Sequence, residues 1–305
     1  MKVSVIIPCY NSANFIEETI QSVVKQNIDE LEIICVDNGS EDNTIEVLKK
    51  LQDSESRIKI EVEPQSGASY ARTKGLSISE GDFIQFLDSD DIIRPGKITT
   101  QMNAIVAQGV DWIVSDRSIL NHDLSSVLES HSYNHLLDNK LEVGIAEVIT
   151  SGNPLYKRQA LEQVGGYTPK LKVGQDWDLH LKLILSDLKV GYVKGDFFHS
   201  RRLSESLSSN WVNVSDTLCE LIIKFKNEFI SKDVAASSNA MKKIHQTYLQ
   251  SLIHSDNTAK KNLWLEELGF WNQLAPISKS NFGKLKFIYS LFGLRTYIKI
   301  KRLFT

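Results

Sequence analysis

A chain of 305 residues holds one large α/β domain with an appendage, or two ordinary domains, and either buries a substantial core. Its apolar share of 42% and charged share of 24% are those of a globular protein, and a net charge of -3 argues against general affinity for nucleic acid. The three cysteines, Cys9, Cys35 and Cys219, are odd in number and lack metal-ligand spacing, so they read as buried thiols in a reducing cytosol.

Val3 to Ile7 reads as a buried strand ended by Pro8, with no signal peptide before it. Asn14 stands where it would cap an amphipathic helix carrying Ile16, Ile20, Val23 and Val24 on one face. Leu31 to Val36 is a second strand, and Asp42 or Asn43 starts a helix whose apolar face is Ile45, Val47, Leu48 and Leu51. Ile58 to Val62 is a third, more exposed strand, followed by a loop with Gly67 and a helix to about Ser79. Strand and helix alternating with short connections predict an α/β fold with a mostly parallel sheet.

The fourth strand, Asp82 to Leu87, opens into Asp88-Ser89-Asp90-Asp91, at the end of an open sheet where ligands bind. Two carboxylates about 4 Å apart repel by about 4 kcal/mol at an effective dielectric of 20, so a cation is wanted there. Oxygen ligands suit Mg2+ or Mn2+, held by one or two acids and by ligand phosphates. The other reading of these acids is a solvated turn capping the helix that Pro95 opens and that runs to about Gln108.

Asp111 to Ser115 reads as a strand, and 116–139 as an irregular polar stretch, either a specificity loop or a disordered insertion. Ser151 to Lys157 is a turn entering a short strand, Arg158 to Val164 a helix stopped by Gly165-Gly166, and Trp177 to Ser186 another helix. Helices are then expected over 213–230, 239–254, 258–270 and 282–303, which places a boundary near Trp211 between an α/β domain of 1–211 and a helical region of 212–305. Residues 281–305 carry Lys284, Lys286, Arg295, Lys299, Lys301 and Arg302 among many apolar residues and no acid. That stretch either lies on an anionic membrane surface or packs its apolar face on the preceding helices. No apolar run approaches the length of a membrane span, so the expected location is cytoplasmic, with the basic end offered to the inner face of the cell membrane.

The order of motifs over the first two thirds of the chain resembles the family 2 glycosyltransferases of GT-A fold. Val3 to Asn11, with Pro8, Tyr10 and Asn11, looks like the opening strand and nucleotide loop. Asp37-Asn38-Gly39-Ser40 resembles the second nucleotide motif, Gly67, Arg72 and Gly75 the stretch before the D-x-D, and Asp88-Ser89-Asp90 the D-x-D itself. Gly165-Gly166-Tyr167 and Gln175-Asp176-Trp177-Asp178 resemble the acceptor-side elements, and Phe198 to Ser208 the segment that closes over the diphosphate.

The resemblance implies a nucleotide half of about 1–115, an acceptor half of about 116–211, and a nucleotide diphosphate sugar, with UDP favoured, as donor. Asn38 stands where relatives often carry a second acid that accepts from uracil, and an amide oxygen can still accept. Pro8, Tyr10, Asn11, Asp37, Arg72 and Asp88 would meet the nucleotide, Tyr10 otherwise covering the sheet edge and Arg72 otherwise being a solvated surface arginine. Asp90 would hold the metal, with His199 as a candidate ligand whose other reading is structural, and Arg201 or Arg202 would pair with phosphate. Asp176 would be the base that takes the proton of the acceptor hydroxyl, a saccharide or lipid-linked saccharide of surface polysaccharide, so that a single displacement inverts the anomeric centre. Asp178 reads as a helix cap.

Two rival functions stand beside this one: a metal-dependent nucleotidyltransferase on a similar scaffold, and a non-catalytic saccharide-binding module. No G-x-x-x-x-G-K-[ST] or G-x-G-x-x-G is present, which disfavours P-loop and dinucleotide enzymes.

Overall fold

The computed structural model describes residues 1–186, 188–203, 211–254 and 257–274. The chain folds into two compact units, Met1–Lys140 with Val148–Ser206, and Leu141–Glu147 with Leu207–Thr305. In the first unit, β1 (Val3–Cys9), β2 (Leu31–Asp37), β3 (Ile58–Val62) and β4 (Phe83–Phe86) form a parallel half-sheet in the order β3-β2-β1-β4. The runs of β1 and β2 are buried along their whole length, as expected of strands covered on both faces. The helices between them are α1 (Ile16–Val24), α2 (Thr44–Ser54) and α3 (Ala68–Ile78). Ile16, Ile20 and Val23 of α1 and Leu48 and Leu51 of α2 are buried with the strands in one hydrophobic core.

Pro8 does not end β1, which continues to Cys9. Pro8 pairs in register with Val36, but β4 leaves the other flank after the Ile6–Phe86 pair, so the missing N–H removes no ladder bond on that side. Nor does Asn14 cap α1: Phe15 precedes the helix, without a side-chain cap bond.

Beyond β4 the sheet turns antiparallel. β5 (Ile92–Ile93), α4 (Lys97–Gln108), β6 (Trp112–Leu120), β7 (Val127–His131), α5 (Lys140–Ala146), β8 (Leu155–Lys157), α6 (Arg158–Val164), α7 (Gln175–Leu185) and β9 (Val190–Arg201) follow in the chain. β8 lies antiparallel between β4 and β6, and β9 runs parallel to β6 and antiparallel to β5. α4 begins at Lys97, after Gly96 in the left-handed region, so Pro95 lies before the helix rather than in its first turn. The polar stretch 116–139 is neither loop nor insertion throughout: its first part extends β6 to Leu120 and then pairs with β7 as a hairpin. Phe198 to Arg201, expected in a flexible segment, complete β9, while 204–208 lie outside the described residues.

The second unit contains α8 (Trp211–Lys224), α9 (Lys226–Ser231), α10 (Ser238–His254) and α11 (Thr258–Leu274), so the helix expected over 213–230 is two helices meeting at Phe225. Phe229, Ile244, Tyr248, Trp264, Leu268 and Trp271 are among its fully buried side chains. Residues 141–147 group with this unit, and the Glu142 carboxylate accepts hydrogen bonds from Ser237 Oγ and Asn239 Nδ2, both at 2.5 Å. The helix expected over 282–303 lies outside the described residues.

Candidate functional site

The parallel strands carry the first part of the site at their carboxyl ends. Tyr10 follows β1 and is exposed, and Asn11 takes a left-handed φ of 48°. Its N–H donates to Ser40 Oγ at 3.0 Å and its Oδ1 accepts from the Glu41 N–H at 2.8 Å, so the β1 and β2 loops are tied together. Asp37, at the end of β2, accepts the N–H groups of Gly39 and Ser40 on Oδ2, whereas its buried Oδ1 has no partner. Asn38 is engaged by the 63–67 backbone: Nδ2 donates to the carbonyls of Glu63 and Gln65, each at 2.8 Å, and Oδ1 accepts from the Gly67 N–H at 2.6 Å. The unpaired acceptor of this pair is therefore Asp37 Oδ1.

Arg72 is 5% exposed, which removes its reading as a solvated surface residue. From α3 its guanidinium pairs with Asp88 Oδ1 at 2.5 Å, donates to Gln175 Oε1 at 2.5 Å, and lies over the Tyr167 ring, 5.0 Å from its centroid. Burial opposes its charge, but the Asp88 carboxylate, Tyr167 and Asp176 hold its pKa above the ordinary value. Ser151 joins the two acids. Its Oγ lies 3.3 Å from both oxygens of Asp88, and its N–H donates to Asp176 Oδ2 at 3.1 Å. Tyr167 donates its hydroxyl to Asp176 Oδ1 at 2.9 Å. Burial and the nearby Asp88 charge raise the Asp176 pKa, against the lowering by Arg72 and by these two hydrogen bonds. Asp178, two residues on, does not cap α7. It is buried, accepts from Thr168 Oγ1 at 2.6 Å and pairs with Lys182 at 2.8 Å.

On the other side of Asp88, the Asp90 pKa is pushed up to about 6 by burial and by the Asp88 charge, and that of buried Asp91 is raised for the same reasons. Asp91 orients the turn, accepting the Arg201 N–H of β9 on Oδ1 at 2.8 Å, while Thr19 Oγ1 holds the Ser89 carbonyl at 2.9 Å. Arg201 is enclosed by its own partners. Its guanidinium meets Glu18 at 2.6 Å, the Asp90 carbonyl at 2.9 Å and the His122 carbonyl, and it covers the Phe15 ring. Arg202 pairs with Glu129 at 2.6 Å on the surface. His199 places Nε2 3.0 Å from Asp196 Oδ2.

Among the described residues no three His, Cys, Asp or Glu side chains converge as a metal cage. A hard cation that takes one or two carboxylates and completes its shell with phosphate oxygens and water needs no such cage. Adjacent carboxylates whose ionised forms destabilise one another, as at Asp88, Asp90 and Asp91, fit that kind of ion.

The structure thus gathers Asp37, Arg72, Asp88, Asp90 and Asp176 at the carboxyl end of the half-sheet and on the facing start of α7. Ser151 is the residue that sequence reasoning did not single out. Its signal was the Ser-Gly-Asn-Pro turn before β8, the strand that pairs directly with the acid-bearing β4.

The model of the family described as Glycosyl transferase family 2 matches residues 4–165, more than half of the chain, including Asp37, Asp88 and Asp90 and stopping short of Asp176. The chain is 29% identical over 223 residues, 69% of its length, to Glycosyltransferase GlyA of Streptococcus pneumoniae serotype 4. It is 35% identical over 144 residues, 45% of its length, to UDP-Glc:alpha-D-GlcNAc-diphosphoundecaprenol beta-1,3-glucosyltransferase WfgD of Escherichia coli. The match spans 32% of GlyA and 55% of WfgD. The crystal structure of S. aureus TarS 1-349 in complex with UDP-GlcNAc superposes with a TM-score of 0.68 at 18% identity, covering 90% of this chain and 82% of that one, and shows the same GT-A fold. On its family match and its fold, the chain belongs to glycosyl transferase family 2.

Proposed function

We propose that this chain is an inverting glycosyltransferase that moves a sugar from a nucleotide diphosphate donor, a UDP-sugar, to a hydroxyl of a saccharide or lipid-linked saccharide in surface polysaccharide synthesis. The observation that carries this reading is the Ser151 bridge, which contacts Asp88 through its hydroxyl and Asp176 through its N–H and so keeps the two acids one residue apart. A donor held at the first acid and an acceptor held at the second then meet with little loss of orientation. Asp37 Oδ1 is the free acceptor for a base N–H, and Tyr10 offers an exposed aromatic face beside it. Asp90, with Asp88, would hold Mg2+ or Mn2+, which when bound neutralises charge on the departing diphosphate. Asp176 takes the proton of the acceptor hydroxyl as that oxygen attacks the anomeric carbon, Tyr167 and Ser151 fixing the carboxylate plane. TarS in complex with UDP-GlcNAc and the name of WfgD support a nucleotide-sugar donor, and the name of GlyA supports glycosyl transfer.

Among the described residues no helix is long and apolar enough to cross a membrane. The basic stretch 281–305 is the part suited to an anionic surface, which agrees with an acceptor presented on lipid. The test is a panel of UDP-sugars with Mn2+, read by release of UDP. Turnover that Asp176→Asn abolishes supports the proposal. Binding of UDP without release from any donor, with saccharide acceptors supplied, would instead favour a non-catalytic module, and pyrophosphate as product would favour a nucleotidyltransferase.

A further inference from the structure

A cleft opens in the part of the sheet away from β1, β2 and β3. β9 slips register against β6 at Ser115/Asp116 and again at Asp116/Arg117, so that Asp196 comes opposite Asp116. Asp116 fixes this distortion, accepting the Gly195 N–H at 3.1 Å and the Tyr192 hydroxyl at 2.8 Å. With β7 on the other flank of β6, the result is a cleft of about 310 Å³, near the small end of ligand sites. Its walls include Asp116, Arg117 and Ser118 of β6, Ser130 and His131 of β7, and Asp196 of β9. Three of these residues carry a buried polar atom without a hydrogen-bond partner; the His131 Nε2 is one, although Glu129 lies 3.4 Å from it. Arg117 Nε and Asp196 Oδ1 are buried without a partner, although Asp196 Oδ2 accepts from Ser118 at 2.9 Å and meets His199 at 3.0 Å. Buried polar atoms of native proteins are nearly always paired, so an unmet donor and an unmet acceptor on residues that line one cleft mark a wall with polar capacity to spare for a ligand.

The chemistry of the walls selects its class. Every residue that lines the cleft is polar or charged, which disfavours an acyl chain. An anion would meet Asp116 and Asp196, and a cation would meet Arg117. A ring bearing several hydroxyls, each both donor and acceptor, satisfies serines, guanidinium and carboxylates together. The position is also informative. Arg117 Nη1 lies 3.4 Å from Thr150 Oγ1, one residue from the Ser151 that joins Asp88 to Asp176. The geometry points to this cleft as a subsite for a neutral sugar ring of the acceptor, the one next to the ring whose hydroxyl is glycosylated, so that the preferred acceptor contains at least two sugar units. This deepens the proposed function and rests on it.

The test reads binding without turnover. A fixed panel of neutral monosaccharides and β- and α-linked disaccharides, including cellobiose, lactose, maltose and chitobiose, is titrated into the full chain by saturation-transfer NMR in the absence of donor. At least one disaccharide binds, more tightly than its component monosaccharides, and Asp196→Asn weakens it about tenfold, the loss expected for one charge-assisted hydrogen bond. Ser130→Ala, on the surface hairpin, is the second variant should Asp196→Asn fail to fold, and it weakens the same disaccharide while the melting temperature stays that of the parent. Absence of binding by every disaccharide, or binding that neither folded variant changes, overturns the inference. Failure of the transferase reading shows separately, as no UDP release from any donor, because saccharide binding here needs no donor.

Discussion

Asp176 has both carboxylate oxygens occupied by donors, Tyr167 Oη on one and the Ser151 N–H on the other, while burial pushes its pKa upward. As the proposed base it must be ionised, so Asp176→Asn is expected to lower kcat by about 10²-fold or more, measured as UDP release. A subtler outcome follows from Tyr167→Phe. The hydroxyl stabilises the charged carboxylate, its loss favours the protonated form, and the Asp176 pKa rises further. The acid limb of the kcat/KM profile should therefore move to higher pH, with activity above the limb largely retained. A limb that stays in place would show that another group controls it. Both residues stood in motifs visible in the sequence, but their contact did not, because sequence places a residue on an element and leaves its partner to the packing.

At the scale of elements, the parallel half-sheet was legible because its strands are short β-branched runs separated by amphipathic helices, and burial on both faces leaves little else for such runs to be. β9 was not legible. Its twelve residues, Val190–Arg201, are mostly half-buried, include Gly191 and Gly195, and lack the alternation that marks a strand. The approach of α3 to this sheet depends on Gly75, where an added Cβ would lie 2.4 Å from Ile6 Cγ2. Arg72 is one turn earlier on the same helix, so Gly75→Ala is expected both to destabilise the fold by about 1–3 kcal/mol and to lower turnover by shifting the guanidinium from Asp88. Thermal melting and UDP release together check this. A second effect at this scale concerns Glu32 of β2, which accepts hydrogen bonds from Ser4 of β1, Lys59 of β3 and the Glu80 N–H before β4. Burial would raise its pKa, but those bonds outweigh it and bring the value to about 2, from 4.5. A depressed carboxylate contributes stability that is full above about pH 4.5 and is lost as pH falls toward 2, here about 1–3 kcal/mol once the half-exposed Lys59 is discounted. Glu32→Gln should thus lower the melting temperature at pH 7 and converge on the parent near pH 2, as followed by circular dichroism.

For the whole molecule, the charge distribution decides how it meets a surface. The net charge is -3, and residues 281–305 hold six Lys and Arg and no acid, so the remaining chain carries -3 minus 6, or -9. A body of that sign is repelled by an anionic bilayer, and any attraction has to come from the basic end, at about 1 kcal/mol for each Lys or Arg near the surface. Interleaved Phe282, Leu285, Phe287, Ile288, Leu291 and Phe292 add apolar area that could enter the interface. The full chain is therefore expected to sediment with vesicles rich in phosphatidylglycerol and not with vesicles of phosphatidylcholine alone. Binding should weaken as salt shortens the screening length from about 10 Å at 0.1 M toward about 3 Å at 1 M. A chain ending at residue 281 should lose this binding while keeping the melting temperature of the α/β unit. Were the shortened chain to bind as before, the apolar side chains of 281–305 would be better assigned to packing within the protein, and the proposed lipid-linked acceptor would have to be met without help from this end of the chain.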